Sequence, residues 1–170
     1  MVHVSAPISR TPTRIGSTFA LLAGIVGVMA AMAYSGVGAL IALGGLSLVT
    51  VGLLLPRPRL FDIGAAGLVV GILLAGLAGG APAVLLPGAV AAVLTWDLAH
   101  NAASHGRQVG ASARTIRAEG VHALGSVAAG TVSAGAALGI YLVAVGGQPV
   151  SAVALLALAS VVLMLAIRSM

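Results

Sequence analysis

Trp96-Asp97-Leu98-Ala99-His100-Asn101, continuing through Ser104-His105-Gly106-Arg107 and Ala113-Arg114-Thr115-Ile116-Arg117-Ala118-Glu119-Gly120, is the one extended polar stretch in a chain otherwise built from apolar runs and short ends. It holds three of the eight arginines, two of the three acidic residues and two of the four histidines. Polar chemistry is therefore sought here first, and the fold is read from the apolar blocks on either side.

Those blocks decide the solvent. In 170 residues, 60% are hydrophobic and 6% charged, and the mean hydropathy is +1.18. Too little polar surface remains to cover a water-soluble globule of this size, so a bilayer is the solvent that fits. The formal charge of +5 comes entirely from arginines on the basic side. They stand in ones to threes beside apolar runs, a juxtamembrane pattern unlike the basic, aromatic-interleaved faces that bind nucleic acid. The chain has no cysteine, which excludes disulfides, thiol nucleophiles and thiolate metal sites.

Residues 1–15 carry Pro7, Pro12, Arg10 and Arg14 without apolar periodicity and read as a disordered cytoplasmic arm. The following block, to Leu55, would span roughly 60 Å as one helix, twice the thickness of a hydrocarbon core, so it must fold back. Tyr34-Ser35-Gly36-Val37-Gly38 supplies the turn between spans of 16–34 and 38–55. A cleaved signal peptide, with Ala31-Met32-Ala33 as its processing site, is the rival reading of the first span. The apolar run is long for a signal core, and a second span follows at once.

Pro56-Arg57-Pro58-Arg59 closes the second span, because proline lacks a backbone donor and arginine resists entering hydrocarbon. A third span covers 60–78. Gly79-Gly80-Ala81-Pro82 turns the chain into a shorter fourth span, 83–97, with Pro87 near its start, where a missing donor is tolerated. Beyond a cytoplasmic polar connection of 97–120 come spans at 121–145 and 150–167, separated by Gly146-Gly147-Gln148-Pro149. The expected fold is all-α: a polytopic membrane bundle of six transmembrane helices arranged as three hairpins, forming one domain over 16–168. With six crossings every arginine falls on one side, together with Asp62, Asp97 and Glu119. The positive-inside rule makes that side, and both termini, cytoplasmic in a cell-membrane protein.

Small residues recur at helix-packing spacing in Gly67-x-x-x-Gly71, Gly76-x-x-x-Gly80, Ser126-x-x-x-Gly130 and Gly135-x-x-x-Gly139. In lipid such positions let backbones approach, either within one bundle or across a homo-oligomer seam. The middles of the spans contain hydroxyls such as Ser47, Thr50, Thr131 and Ser133 but no ionisable group. Hydroxyls in a helix bond to the preceding turn. Coupled carriers place an ionisable group or a broken helix near the midplane, so this pattern weighs against one.

Asp97-x-x-His100 closes the fourth span and Glu119-x-x-His122 opens the fifth, and positions three apart share a helix face. The expectation is a polar cluster of Asp97, His100, Glu119 and His122 tying the two helices. A di-metal centre of this outline needs carboxylates from two further helices, and only Asp62 is left to offer, so neither metal nor cofactor is expected. Asp62 and Glu119 stand at helix starts, where negative charge suits the dipole. Asp97, at the unfavourable pole, implies a helix continuing from Leu98 toward Gly106, an Arg or His partner, or both, and both are expected. Leu98, Ala102, Val109, Ala113 and Ile116 form a thin stripe opposite the polar residues. The segment 98–118 therefore reads as a weak amphipathic surface helix, interrupted near Gly106 and Gly110, with Arg107, Arg114 and Arg117 meeting headgroups or an acidic partner.

The six-span layout, Thr95-Trp96-Asp97-Leu98 and Arg117-Ala118-Glu119-Gly120-Val121-His122-Ala123 resemble an uncharacterised multi-pass membrane protein family of halophilic archaea, chiefly over 56–168. Its proteins are usually encoded beside AAA-type ATPases and von Willebrand-like domain proteins. The resemblance implies an accessory membrane component and transfers no catalytic residue. The functional expectation is a non-enzymatic scaffold or accessory subunit whose partners are membrane lipid and a cytoplasmic protein or second copy, with no nucleic acid. The alternative is a small channel or carrier for an uncharged solute.

Overall fold

The computed structural model describes residues 11–109 and 116–143. Among these residues the chain forms five α-helices: α1 (Arg14–Met32), α2 (Gly36–Leu54), α3 (Pro58–Leu77), α4 (Pro82–Val109) and α5 (Ile116–Val143). The expected sixth span, 150–167, and the turn before it lie outside the described residues. All five helices are long and apolar enough to cross a membrane. At 1.5 Å per residue, α1 to α3 measure about 28–30 Å, the thickness of a hydrocarbon core. Helices α4 and α5 have 28 residues each, about 42 Å, and outrun that thickness by about 12 Å.

Local chemistry sets the helix ends. The Ser35 hydroxyl accepts the Gly38 amide at 3.0 Å and caps α2. Pro58 begins α3, where its missing donor costs nothing. Gly79, at φ +87°, ends α3: its amide reaches the Gly76 carbonyl while that of Gly80 reaches back to Ala75, the paired bonds of a left-handed cap. Pro87 lies inside α4, a turn beyond its start at Pro82.

Successive helices run antiparallel, but they do not pair as three hairpins in series. The most extensive packing joins α2 to α3 and α1 to α4. The α2–α3 seam is made by small residues at alternating three- and four-residue steps: Gly38, Ala42, Gly45, Val49 and Gly52 are buried on α2. On α3 the matching set is Phe61, Gly64, Leu68, Gly71 and Ala75. A methyl added at Gly38 would lie 2.5 Å from the Gly71 carbonyl oxygen, and one at Gly64 2.5 Å from that of Gly45, so the two backbones are in contact. Without a hydrophobic drive between helices in lipid, such proximity supplies the dispersion energy that pairs them. The sequence motif Gly67-x-x-x-Gly71 belongs to this seam, with Gly67 against Gly45. Gly76 and Gly80 face Leu85, and Gly130 faces Val90. Among the described residues Gly135 and Gly139 have nothing near them.

Two expectations about the polar stretch need correction. The fourth helix continues past Asp97, as a charge at its unfavourable pole implies, but it runs unbroken through Gly106 to Val109 with no interruption near Gly106. Its extension is no surface helix either, because Ala99, Ala102, Ala103 and Gly106 are buried. Ala99 and Ala103 join the core of Ala20, Val49, Leu53 and Phe61, and the other two pack on the N-terminal strap: the Thr13 amide donates to the Ala102 carbonyl at 3.1 Å, and Gly106 lies directly against Thr11. Consequently residues 11–15 are not a disordered arm. Thr13 is buried and Arg14 is already helical; residues 1–10 lie outside the described residues.

The chain divides into two compact units, Met1–Ala136 and Ala137–Met170. In the second, the described part is the last stretch of α5, where Ile140, Tyr141 and Leu142 are exposed. The first carries a wide exposed apolar surface that includes Leu22, Met29, Leu40, Leu54, Leu73 and Leu77. Water does not favour a contiguous surface of that kind, whereas lipid does.

Candidate functional site

Antiparallel packing brings the starts of α1, α3 and α5 and the extension of α4 to one end of the first unit. The arginines of the described helices, Arg14, Arg59, Arg107 and Arg117, belong to these same segments. Three polar contacts link the four helices there.

The first joins α3 to α4. The indole N–H of Trp96 donates to Asp62 Oδ1 at 2.8 Å, and His100 Nε2 lies 3.5 Å from the same oxygen. The imidazole is wedged between Trp96 and the edge of Phe61, with ring centroids 4.9 and 5.1 Å away. Its Nδ1 faces the Trp96 carbonyl at 3.0 Å and must donate there, since a carbonyl only accepts. A neutral ring then presents a bare nitrogen to the Asp62 carboxylate, and only the imidazolium form donates to both.

The second joins α4 to α5. Asp97 Oδ2 accepts from His122 Nε2 at 2.9 Å and from the Ser126 hydroxyl at 2.7 Å. The third joins α1 to α5: the Thr13 hydroxyl donates to Glu119 Oε2 at 3.0 Å, and both residues are buried. Glu119 sits in the first turn of α5, where the helix dipole favours its charge.

The four residues singled out from the sequence thus occupy one end of the first unit with partners other than those their spacing suggests. Asp97 meets His122 across helices, His100 meets Asp62, and Glu119 meets Thr13. Positions three apart on a helix are offset by about 60° around the axis. Because α4 has α3 on one side and α5 on the other, that offset sends Asp97 and His100 to different neighbours. Among the described residues no three of the histidines and carboxylates converge as a metal site would require. Arg107 and Arg117 are exposed; Arg114 lies outside the described residues.

The sequence pattern does not mark Trp96 as a donor, although an indole N–H generally finds an acceptor. In sequence Ser126 reads only as a small packing residue, and nothing there marks Thr13. Above Asp97, between α4 and His122, opens a groove of about 370 Å³ that runs along α4 from Trp96 to Arg107.

Residues 10–164 match a family described as Family of unknown function (DUF7519). No curated protein and no solved structure matches the chain.

Proposed function

Because the chain belongs to that family, whose description assigns no activity, we propose from its own side chains that it is a non-enzymatic membrane scaffold or accessory subunit. In this reading it is a six-span protein of the cell membrane, with the sixth span at 150–167 and a kinship to membrane proteins of halophilic archaea. The arginine-bearing end and both termini face the cytoplasm. That end presents residues 97–120 to a protein partner or a second copy of the chain.

One observation carries the proposal. Helices α4 and α5 outrun hydrocarbon thickness by about 12 Å, and the Asp97–His122–Ser126 and Thr13–Glu119 contacts tie α5 to α4 and to the start of α1 at the polar end. Rigid elements present a surface more faithfully than loops do. Arg107 and Arg117 stand exposed on this platform, with no ion-pair partner among the described residues. The alternative is a small channel or carrier for an uncharged solute, in which the hydroxyls of Ser47, Thr50, Thr95 and Thr131, whose protons go to carbonyls four residues earlier in their own helices, would act as acceptors only.

The test is co-purification of the full chain from its native membrane, against Arg114→Glu/Arg117→Glu. A partner retained stoichiometrically by the parent and lost from the folded variant supports the scaffold. Identical protein content, together with solute flux through reconstituted parent protein, refutes it in favour of the carrier.

A further inference from the structure

The groove above Asp97 has a composition that the scaffold reading, which uses only the exposure of Arg107, leaves unexplained. Along α4, Asp97, Asn101 and Ser104 follow one another at four- and three-residue steps, so they lie on one face, with Arg107 a further turn on. Side chains on a helix lean toward its N-terminus, which brings the Arg107 guanidinium back over Ser104 and toward the membrane.

Its donors are uncommitted. Arg107 has no ion pair and the Asn101 amide no hydrogen bond among the described residues. The Ser104 oxygen accepts from the Gln108 amide at 3.0 Å, leaving its own proton to give. At the bottom, Asp97 Oδ2 takes two hydrogen bonds from α5. The upper groove therefore offers guanidinium, amide and hydroxyl donors together, a set matched to the oxygens of a phosphate.

Position selects the source of that phosphate. Trp96 lies at the foot of the groove, and aromatic residues of its kind mark the level of lipid headgroups. Val93, one turn below Asp97 on the same face, is exposed. A ligand seated by its phosphate would thus have apolar surface below it on which an acyl chain can lie. At about 370 Å³ the groove is within the size range of small-ligand sites.

We propose that this groove is a phospholipid site, in which Arg107, Asn101 and Ser104 hold the headgroup phosphate and the exposed apolar surface below receives an acyl chain. It stands independently of the scaffold reading, because it calls for no protein partner and makes no use of Arg114 or Arg117.

Trp96 is the only tryptophan in the chain and lines the groove, so its fluorescence reports occupancy directly. Full-length protein in neutral detergent is titrated with short-chain phosphatidylglycerol, with diacylglycerol of the same chains, and with inorganic phosphate. The expected result is a saturable change with the phospholipid alone. Arg107→Gln weakens it about tenfold, the loss of one or two charge-assisted hydrogen bonds, and Arg107→Lys falls between. Asn101→Ala gives a smaller loss and decides the matter if Arg107→Gln does not fold. Equal response to diacylglycerol, or no effect of either folded variant, overturns the phosphate site. Equal affinity for inorganic phosphate overturns the lipid as its source. Arg114→Glu/Arg117→Glu should bind lipid as the parent does, so failure of the scaffold and failure of this site are separately visible.

Discussion

Replacing Gly45 by alanine places one methyl group in the α2–α3 seam. The new carbon would lie 2.8 Å from the Leu68 nitrogen and 3.1 Å from the Gly67 carbonyl carbon, and closer still to the Gly64 carbonyl oxygen. All three are backbone atoms and cannot rotate aside. Since carbon contacts are comfortable at about 3.5–4.0 Å, the helices must separate by nearly 1 Å, and a gap of that size forfeits a quarter to a half of each contact's dispersion energy. Overpacking of this kind costs about 1–3 kcal/mol, and a rigid neighbour argues for the upper end. Alanine returns about 1 kcal/mol of helix propensity, so the net loss is about 2 kcal/mol. Gly44 provides the control: a methyl there meets nothing within 4 Å, and the same substitution should be neutral or stabilising by up to about 1 kcal/mol. The two adjacent variants, compared by reversible unfolding in mixed micelles, should therefore differ by about 3 kcal/mol. Equal stabilities would refute the backbone contact between α2 and α3.

The polar end allows two further tests. Asp97→Ala removes the contacts to His122 and Ser126; allowing for the partial exposure of all three residues, the loss should be about 1–2 kcal/mol. A double-mutant cycle with Ser126→Ala should show a coupling of at least about 0.5 kcal/mol, and additive effects would argue against a shared hydrogen bond. For orientation, cysteines at Ser35 and Gln148 in the full-length chain should react with impermeant maleimide added outside intact cells, whereas one at Ser112 should react only after lysis. Outside labelling at position 112 would reverse the proposed topology.

Much of the helix placement was readable from local sequence. Expected spans of 16–34, 38–55 and 60–78 correspond to helices Arg14–Met32, Gly36–Leu54 and Pro58–Leu77, because Ser35-Gly36, Pro56 to Pro58 and Gly79-Gly80 interrupt apolar runs by their own backbone chemistry. The extension of α4 past Asp97 follows from the charge at its unfavourable pole, but its burial was not readable that way. Hydropathy falls at Asp97, yet Ala99 and Ala103 join the core of Ala20, Val49, Leu53 and Phe61, while Ala102 and Gly106 pack on the start of α1 and the strap before it. A hydropathy profile weighs each residue against lipid or water and has no entry for another helix.

By itself the amino-acid sequence determined that this chain is helical, apolar enough for a bilayer, and polar at one end, since length, composition and turn residues act through the chain's immediate neighbours. Tertiary structure alone decided that α2 pairs with α3 through Gly45 and Gly64, that Asp97 meets His122, and that His100 meets Asp62. The physical reason is rotational. A helix apolar on nearly every side shows no preferred face in its sequence, and the few tens of degrees that separate one partner from another are fixed only when close-packed neighbours leave a single fit.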